Sequence, residues 1–440
     1  MNLSSYRDSR SETAPRRSAT APRRPRGRAT TAGRASGAAA VAAVLLAGCG
    51  AGTGTPNATP HSSGPGVSLA PPAASSASRP AQTSPPSLAP DLAATATAKA
   101  CTNSSKLTGW SNHRLAMLTI AVPVSETSVS DATSEVSAGA GGVLLFGSTA
   151  PSDLGARLNT LKSHVPGHLG LLVMTDEEGG GIQRMANLVG SLPWAAYMGA
   201  HWTPAQIQQN VTKVATKMAA AQVNMNLAPV VDVDGRNVAP SKTNPDGWRS
   251  FSGNTSVVSK AGVAYMNGMR AGGVIPVVKH FPGIGGSTYN SDFGPARTLP
   301  WSTLQKVAIP PFTAAIKAGA PAIMVANNIV PGLGTNPASL SPTAIGELRG
   351  KMGFKGLVLT DSLSAKAISA AGFSVPAAAV QALRSGADMV MFDLKGNVSS
   401  QTSSIATAIT NAVTGGHLSR SRLIDAAGHV LAVRHVNLCS

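Results

Sequence analysis

Lys279 and His280 stand directly after the apolar run 274–278, and Phe281-Pro282-Gly283-Ile284-Gly285 follows them. A run of that kind reads as a buried parallel strand. An ammonium and an imidazole at its end, next to Pro and two Gly, point to a site, because a buried ammonium needs a partner. Polar residues recur at the matching places elsewhere. Asp176, Glu177 and Glu178 follow the run 171–174, and Asp232, Asp234 and later Arg249 follow 225–231. Asn327 and Asn328 follow 322–325, Asp361 follows 356–359, and Asp393 follows 387–391. Polar groups repeated along one rim suit a polyhydroxylated ligand, since each buried hydroxyl needs a partner. Glu177, Asp234 and Asp393 are read as solvated rim charges instead. No Gly-x-Gly-x-x-Gly follows a strand and no metal-ligand spacing occurs, so neither a cofactor nor a metal is expected.

The elements that must position these residues follow from the same runs. With 115–122 and 142–146 the apolar runs number eight. Stretches with helical spacing separate most of them, at 154–163, 204–221, 257–271, 310–318 and 376–385. Eight strands alternating with helices predict an α/β fold, a (β/α)8 TIM-type barrel forming a single catalytic domain over 101–440. A doubly wound open sheet is the alternative. In such a barrel the chemistry sits just beyond the C-terminal ends of the strands, where the polar residues fall.

The first hundred residues have a different character. Residues 1–36 carry nine Arg against two acids, a short apolar stretch follows at 38–46, and Leu46-Ala47-Gly48-Cys49 closes it. This pattern predicts an export signal over 1–48, with an apolar core too short to remain as a membrane span. The last four residues resemble a bacterial lipobox, which makes Cys49 the expected lipidated residue. The Arg pairs at 16–17 and 23–24 leave both general and twin-arginine export open. Residues 49–100 are dominated by Ala, Pro, Ser and Thr and are expected to be a disordered tether, because they cannot bury enough apolar surface to offset ordering. Of the formal charge of +17, the first 36 residues account for +7, which leaves +10 on the remainder. A basic exported chain suits an anionic envelope, and nothing in it points to nucleic acid. Cys101 and Cys439 bracket the folded part and are expected to form a disulfide after export.

The motifs, taken in order, resemble family 3 glycoside hydrolases, in the single-domain β-N-acetylglucosaminidase branch. Lys279-His280-Phe281-Pro282-Gly283 resembles the start of that family's KHFPGHG…DSH motif. Asp176-Glu177-Glu178-Gly179-Gly180 resembles its D-Q-E-G-G, and Ala228-Pro229-Val230-Val231-Asp232-Val233 its A-P-V-x-D-V. Arg249-Ser250-Phe251 matches its R-S-F, and the segment 356–363, with Asp361, resembles the nucleophile segment. The resemblance covers 110–435. It implies that Asp176, Arg249, Lys279 and His280 hold the terminal sugar and that Asp361 attacks the anomeric carbon.

Three positions depart from the pattern. Ile284 replaces the second His of KHFPGHG, Asn327 replaces the His of M-x-A-H, and Asn290-Ser291-Asp292 replaces D-S-H, whose His is the general acid/base. Asp292 is the candidate acid/base, since retaining glycosidases ordinarily use two carboxyl groups. The expected protein is therefore an actinobacterial-type exported lipoprotein, anchored to the cell membrane and facing the wall. Its expected activity is removal of terminal β-linked N-acetylglucosamine, or a related hexose, from wall-derived saccharides by a retaining mechanism. A sugar-binding lipoprotein with impaired catalysis is the alternative. The loop carrying Asp292 is expected to be mobile and open without ligand.

Overall fold

A computed structural model describes residues 101–167 and 169–439. The expected signal, the lipidation site Cys49 and the expected tether up to residue 100 lie outside the described residues.

Ten strands occur in the described part: β1 (Ile120–Ser125), β2 (Gly142–Phe146), β3 (Leu172–Thr175), β4 (Glu177–Gly179), β5 (Ile182–Gln183), β6 (Met225–Asn226), β7 (Ile275–Phe281), β8 (Ala322–Val325), β9 (Leu357–Thr360) and β10 (Val390–Met391). Eight of them form one sheet in the order β10-β1-β2-β3-β6-β7-β8-β9. Every pairing in it is parallel. A parallel bridge between Leu359 and Met389 joins the two ends of that order and closes the barrel. The strands are buried along almost their whole length because helices cover the outside and side chains fill the inside.

The helices form where the spacing requires them. In Pro204–Ala220 the buried residues Ile207, Val211, Val214, Ala215 and Met218 make one stripe, and Thr203 with Gln206 closes a capping box at its start. This helix packs on Thr255–Ala271. A Cβ on Gly268 there would stand only 2.7 Å from the Gln208 carbonyl oxygen, so glycine sets the helix separation. The helix Val375–Ser385 starts at the Ser374 cap with Pro at its first turn and stops at Gly386, whose φ of 110° is left-handed.

Three apolar runs differ from the strands they contain. The run 115–122 is not one strand: Asn112–Leu118 is a helix capped by Ser111, and β1 begins at Ile120. An unbroken apolar run has no period, so it does not separate helix from strand. The run 225–231 is a strand only at Met225–Asn226. Pro229, which lacks an N–H, interrupts the ladder, and pairing resumes at a Val230–Lys279 bridge. In contrast β7 runs past 278 and takes in Lys279, His280 and Phe281. Its register with β8 shifts between Val278 and Phe281, and the Lys279–His280 peptide is cis.

The ends of the domain meet. Cys101 and Cys439 form a disulfide with Cα atoms 5.9 Å apart. Beside it Asn103 donates to the Val436 carbonyl at 2.7 Å and accepts from the Leu438 amide at 2.7 Å.

Candidate active site

The C-terminal ends of β3, β6, β7 and β9 bring together most of the polar residues singled out in the sequence. Lys279, fully buried, reaches two acids: Asp176 at 2.8 Å and Glu178 at 2.7 Å. Glu178 also takes a two-pronged pair from Arg249, Nε to Oε2 and Nη2 to Oε1, each at 2.9 Å. Arg249 Nη2 in turn lies 3.4 Å from His280 Nε2. On its other side the His280 ring places Nδ1 2.7 Å from Asp232, which also accepts the backbone amides of His280 and Ile284. Arg184 stands 3.7 Å from Asp176. The result is a continuous network in which Asp176, Glu178 and Asp232 face Lys279, Arg249 and Arg184.

The charges hold one another in place. Burial alone works against ionised Asp176 and Glu178, but Lys279 and Arg184 hold Asp176 below the usual carboxylate range, and Arg249 with Lys279 holds Glu178 far below it. Burial opposes the Arg249 charge too, and Glu178 outweighs it, so the guanidinium stays charged. Such a set presents fixed donors to hydroxyl groups without needing to reorganise. The sequence places Glu178 and Asp232 on the ligand-facing rim but gives neither an individual role. Lys279 and Arg249 are both buried, and two buried cations need more carboxylate than Asp176 alone supplies.

The hairpin of β4 and β5 delivers Glu178. Adjacent Glu177 points the other way. It is fully buried, accepts from Gln183 Nε2 at 2.8 Å and from the Met185 amide, and burial pushes its carboxyl up to about 7. Tyr265 OH donates to its backbone carbonyl. Glu177 is therefore not a solvated rim charge. Asp234 and Asp393, for which the same was expected, are not solvated either. Buried Asp234 pairs with Arg236 at 3.0 Å and accepts the Gly247 amide. Buried Asp393 accepts Ser362 Oγ at 2.6 Å and pairs with Lys395 at 2.7 Å. In each case a distant or following segment supplies the partner that makes burial tolerable.

Asp361 ends β9. Its amide donates to Val325 across the sheet at 2.9 Å, and its Oδ1 accepts the Ser362 amide at 2.7 Å. Asn327, one of the three departures, fixes the same segment: its Nδ2 donates to the Ser362 carbonyl at 2.7 Å while its Oδ1 accepts Ser339 Oγ at 2.6 Å. Ile284, the second departure, is buried, and its backbone amide serves Asp232.

The third departure, Asn290-Ser291-Asp292, is seated rather than open. The Asn290 amide donates to the Lys242 carbonyl at 2.8 Å, and Asn290 Oδ1 accepts the Asp292 amide at 2.9 Å. From the segment beyond Asp361, the Ala367 amide donates to the Ser291 carbonyl at 3.0 Å and the Lys366 amide to that of Asp292 at 3.4 Å. Asp292 itself is half-buried. Burial raises its carboxyl above the usual range, and the Asp361 charge pushes in the same direction. The expectation of an open loop is thus corrected: main-chain bonds to two separate segments hold it.

Metal-ligand chemistry is present in two groups of described side chains, Asp232 with Asp246 and His280, and Asp388 with Asp425 and His429. The first could hold a cation only by breaking the Asp232–His280 contact that orients the ring. In the second, Asp388 is already paired with Arg349 and with Arg422.

The chain has relatives among known proteins. The model described as "Glycosyl hydrolase family 3 N terminal domain" matches residues 120–433. Beta-hexosaminidase LpqI of Mycobacterium tuberculosis is 35% identical over 233 residues, which are 51% of this chain and 59% of that protein. A beta-hexosaminidase of Stenotrophomonas maltophilia is 34% identical over 230 residues, 50% of this chain and 66% of its own length. The matched segment thus spans somewhat under two thirds of each of these relatives. The solved structure of M. tuberculosis LpqI superposes with a TM-score of 0.68 at 29% identity, covering 76% of this chain and 96% of that one.

Proposed function

The chain belongs to glycosyl hydrolase family 3, and from that premise we propose that it removes terminal β-linked N-acetylhexosamine from wall-derived saccharides with retention of configuration. The observation that carries this reading is the buried network of Asp176, Glu178, Arg249, Lys279, His280 and Asp232 around the strand ends, with Asp361 at the end of β9. Its fixed donors suit the hydroxyls of one terminal sugar. The names of the relatives, beta-hexosaminidases, support an N-acetylhexosamine as that sugar.

In the proposed reaction the Asp361 carboxylate attacks the anomeric carbon as the glycosidic C–O bond breaks. Asp292, protonated, donates its proton to the departing oxygen, leaving a glycosyl ester on Asp361. Asp292, now ionised, takes a proton from water, whose oxygen attacks the same carbon and frees Asp361. The upward push on the Asp292 carboxyl supports its acid role, since a general acid must still hold its proton near the working pH. Formation of the ester also removes the Asp361 charge that raised the Asp292 carboxyl, which favours its second role as base.

We further propose an exported lipoprotein held to the membrane through Cys49 and acting at the wall, on the strength of the basic leader and the Leu46-Ala47-Gly48-Cys49 sequence. A second reading, a sugar-binding protein with impaired catalysis, draws on the replacement of D-S-H by Asn290-Ser291-Asp292. The test is hydrolysis of an N-acetylglucosaminyl disaccharide followed by proton NMR. The expected first product is the β-anomer of the free sugar. The α-anomer first would end the retaining mechanism, and binding without any release would favour the second reading.

A further inference from the structure

Trp and Tyr are scarce in this chain, with five Trp and four Tyr in 440 residues. Three of the nine, Trp194, Tyr197 and Trp248, line a single surface cavity of about 520 Å³. Tyr197 is 50% exposed, and it is one of three large hydrophobic side chains exposed among the described residues. Trp194 and Trp248 are half-buried, with ring centroids 6.0 Å apart and planes inclined at 55°. Around the rings the lining includes the exposed polar residues His201, Arg236 and Asn237. Trp248 Nε1 donates to Asn237 Oδ1 at 2.8 Å, which fixes one ring against the polar rim.

Two of the segments that carry active-site residues also shape this cavity. The turn Gly247–Arg249 sends Arg249 inward to Glu178 and contributes Trp248 to the cavity. On the other wall, Gly180 lies two residues from Glu178, and a Cβ there would stand 2.0 Å from the Trp194 ring. Glycine at 180, with φ of 58°, therefore lets the hairpin carry Glu178 on one side and seat Trp194 on the other.

Tilted rings with a rim of donors and acceptors match the chemistry of a pyranose. Such a sugar has apolar C–H faces that lie against aromatic rings and a ring of hydroxyls that need partners. We propose that this cavity is a second saccharide-binding subsite. It would hold sugar units of a longer glycan whose terminal residue occupies the network around Lys279. The proposal rests on the glycosidase reading above, and it adds a preference for longer chains over single glycosides.

The experiment compares two substrates in wild type and Tyr197→Ala: an aryl β-N-acetylglucosaminide and a β-linked N-acetylglucosamine tetrasaccharide. Tyr197 touches neither Asp361, Asp292 nor the charge network in any contact described above. In Tyr197→Ala, KM for the tetrasaccharide should rise about tenfold with kcat unchanged, the scale of one lost ring contact. Kinetics on the aryl glycoside should stay the same, and Tyr197→Phe should restore the tetrasaccharide KM. An unchanged tetrasaccharide KM in Tyr197→Ala overturns the subsite, and so does an equal loss on both substrates. If wild type hydrolyses neither, the glycosidase reading fails separately, and the subsite is judged by equilibrium dialysis of the tetrasaccharide. About tenfold weaker binding to Tyr197→Ala supports it, and equal binding overturns it.

Discussion

Lys279 Nζ lies 2.7 Å from Glu178 Oε1, and the same carboxylate clamps Arg249. One buried acid thus positions both cations of the site. Removing its charge leaves Arg249 buried without this carboxylate and Lys279 with Asp176 alone. Glu178→Gln should lower stability by about 3 kcal/mol, the scale for breaking one partner of a buried ion pair. It should weaken sugar binding as well. Urea unfolding and inhibitor titration measure the two, and a variant as stable as wild type would show that the pairs contribute little.

Asp361 and Asp292 are expected to separate by leaving group. Asp361→Ala should abolish turnover of every substrate. Asp292→Ala should slow a natural disaccharide by about 10²–10⁴ but spare aryl glycosides with good leaving groups in the first step. Azide should then speed the second step on those aryl substrates. Intact disaccharide turnover in Asp292→Ala would place the proton donor elsewhere.

Glu177 predicts a pH dependence of stability. Burial raises its carboxyl from 4.5 unfolded to about 7 folded. Between those values the folded state binds the extra proton, so stability must fall as pH rises through this window. The full shift corresponds to about 3 kcal/mol at most. Glu177→Gln should flatten the decline between pH 4.5 and 7 in chemical denaturation curves. An unaltered slope would assign the pH dependence to other groups.

The Cys101–Cys439 disulfide closes a loop with a sequence separation of 338. Cys101→Ser should destabilise the domain by about 6 kcal/mol if the restriction of the unfolded chain dominates. Loss of a few tenths only, by thermal or urea unfolding, would show that the ends are held mainly by contacts such as those of Asn103.

Cys49→Ser should move the protein from the membrane fraction to the soluble fraction of the producing cells, because a short apolar leader core does not anchor by itself. Membrane-bound Cys49→Ser protein would refute the lipid anchor.

The barrel was legible in the sequence because its signal is local. Each strand announces itself by its own apolar run, and each outer helix by its own stripe, as in Pro204–Ala220. Lys279 and His280 stood out for the same reason, being polar groups on the end of a run that must be buried. What the sequence left undecided is which acid meets which cation. Glu177 and Glu178 are neighbours of identical chemistry, yet one meets Arg249 and Lys279 while the other accepts from Gln183 and Met185. Asp234 and Asp393 looked like solvated charges until Arg236, Lys395 and Ser362 closed around them. The seating of Asp292 depends on residues 366–367, more than seventy positions along the chain. Periodicity is a property of a short window. The cost of burying a charge is set by partners that only the closed barrel brings within reach, so the fold was readable one segment at a time and the site was not.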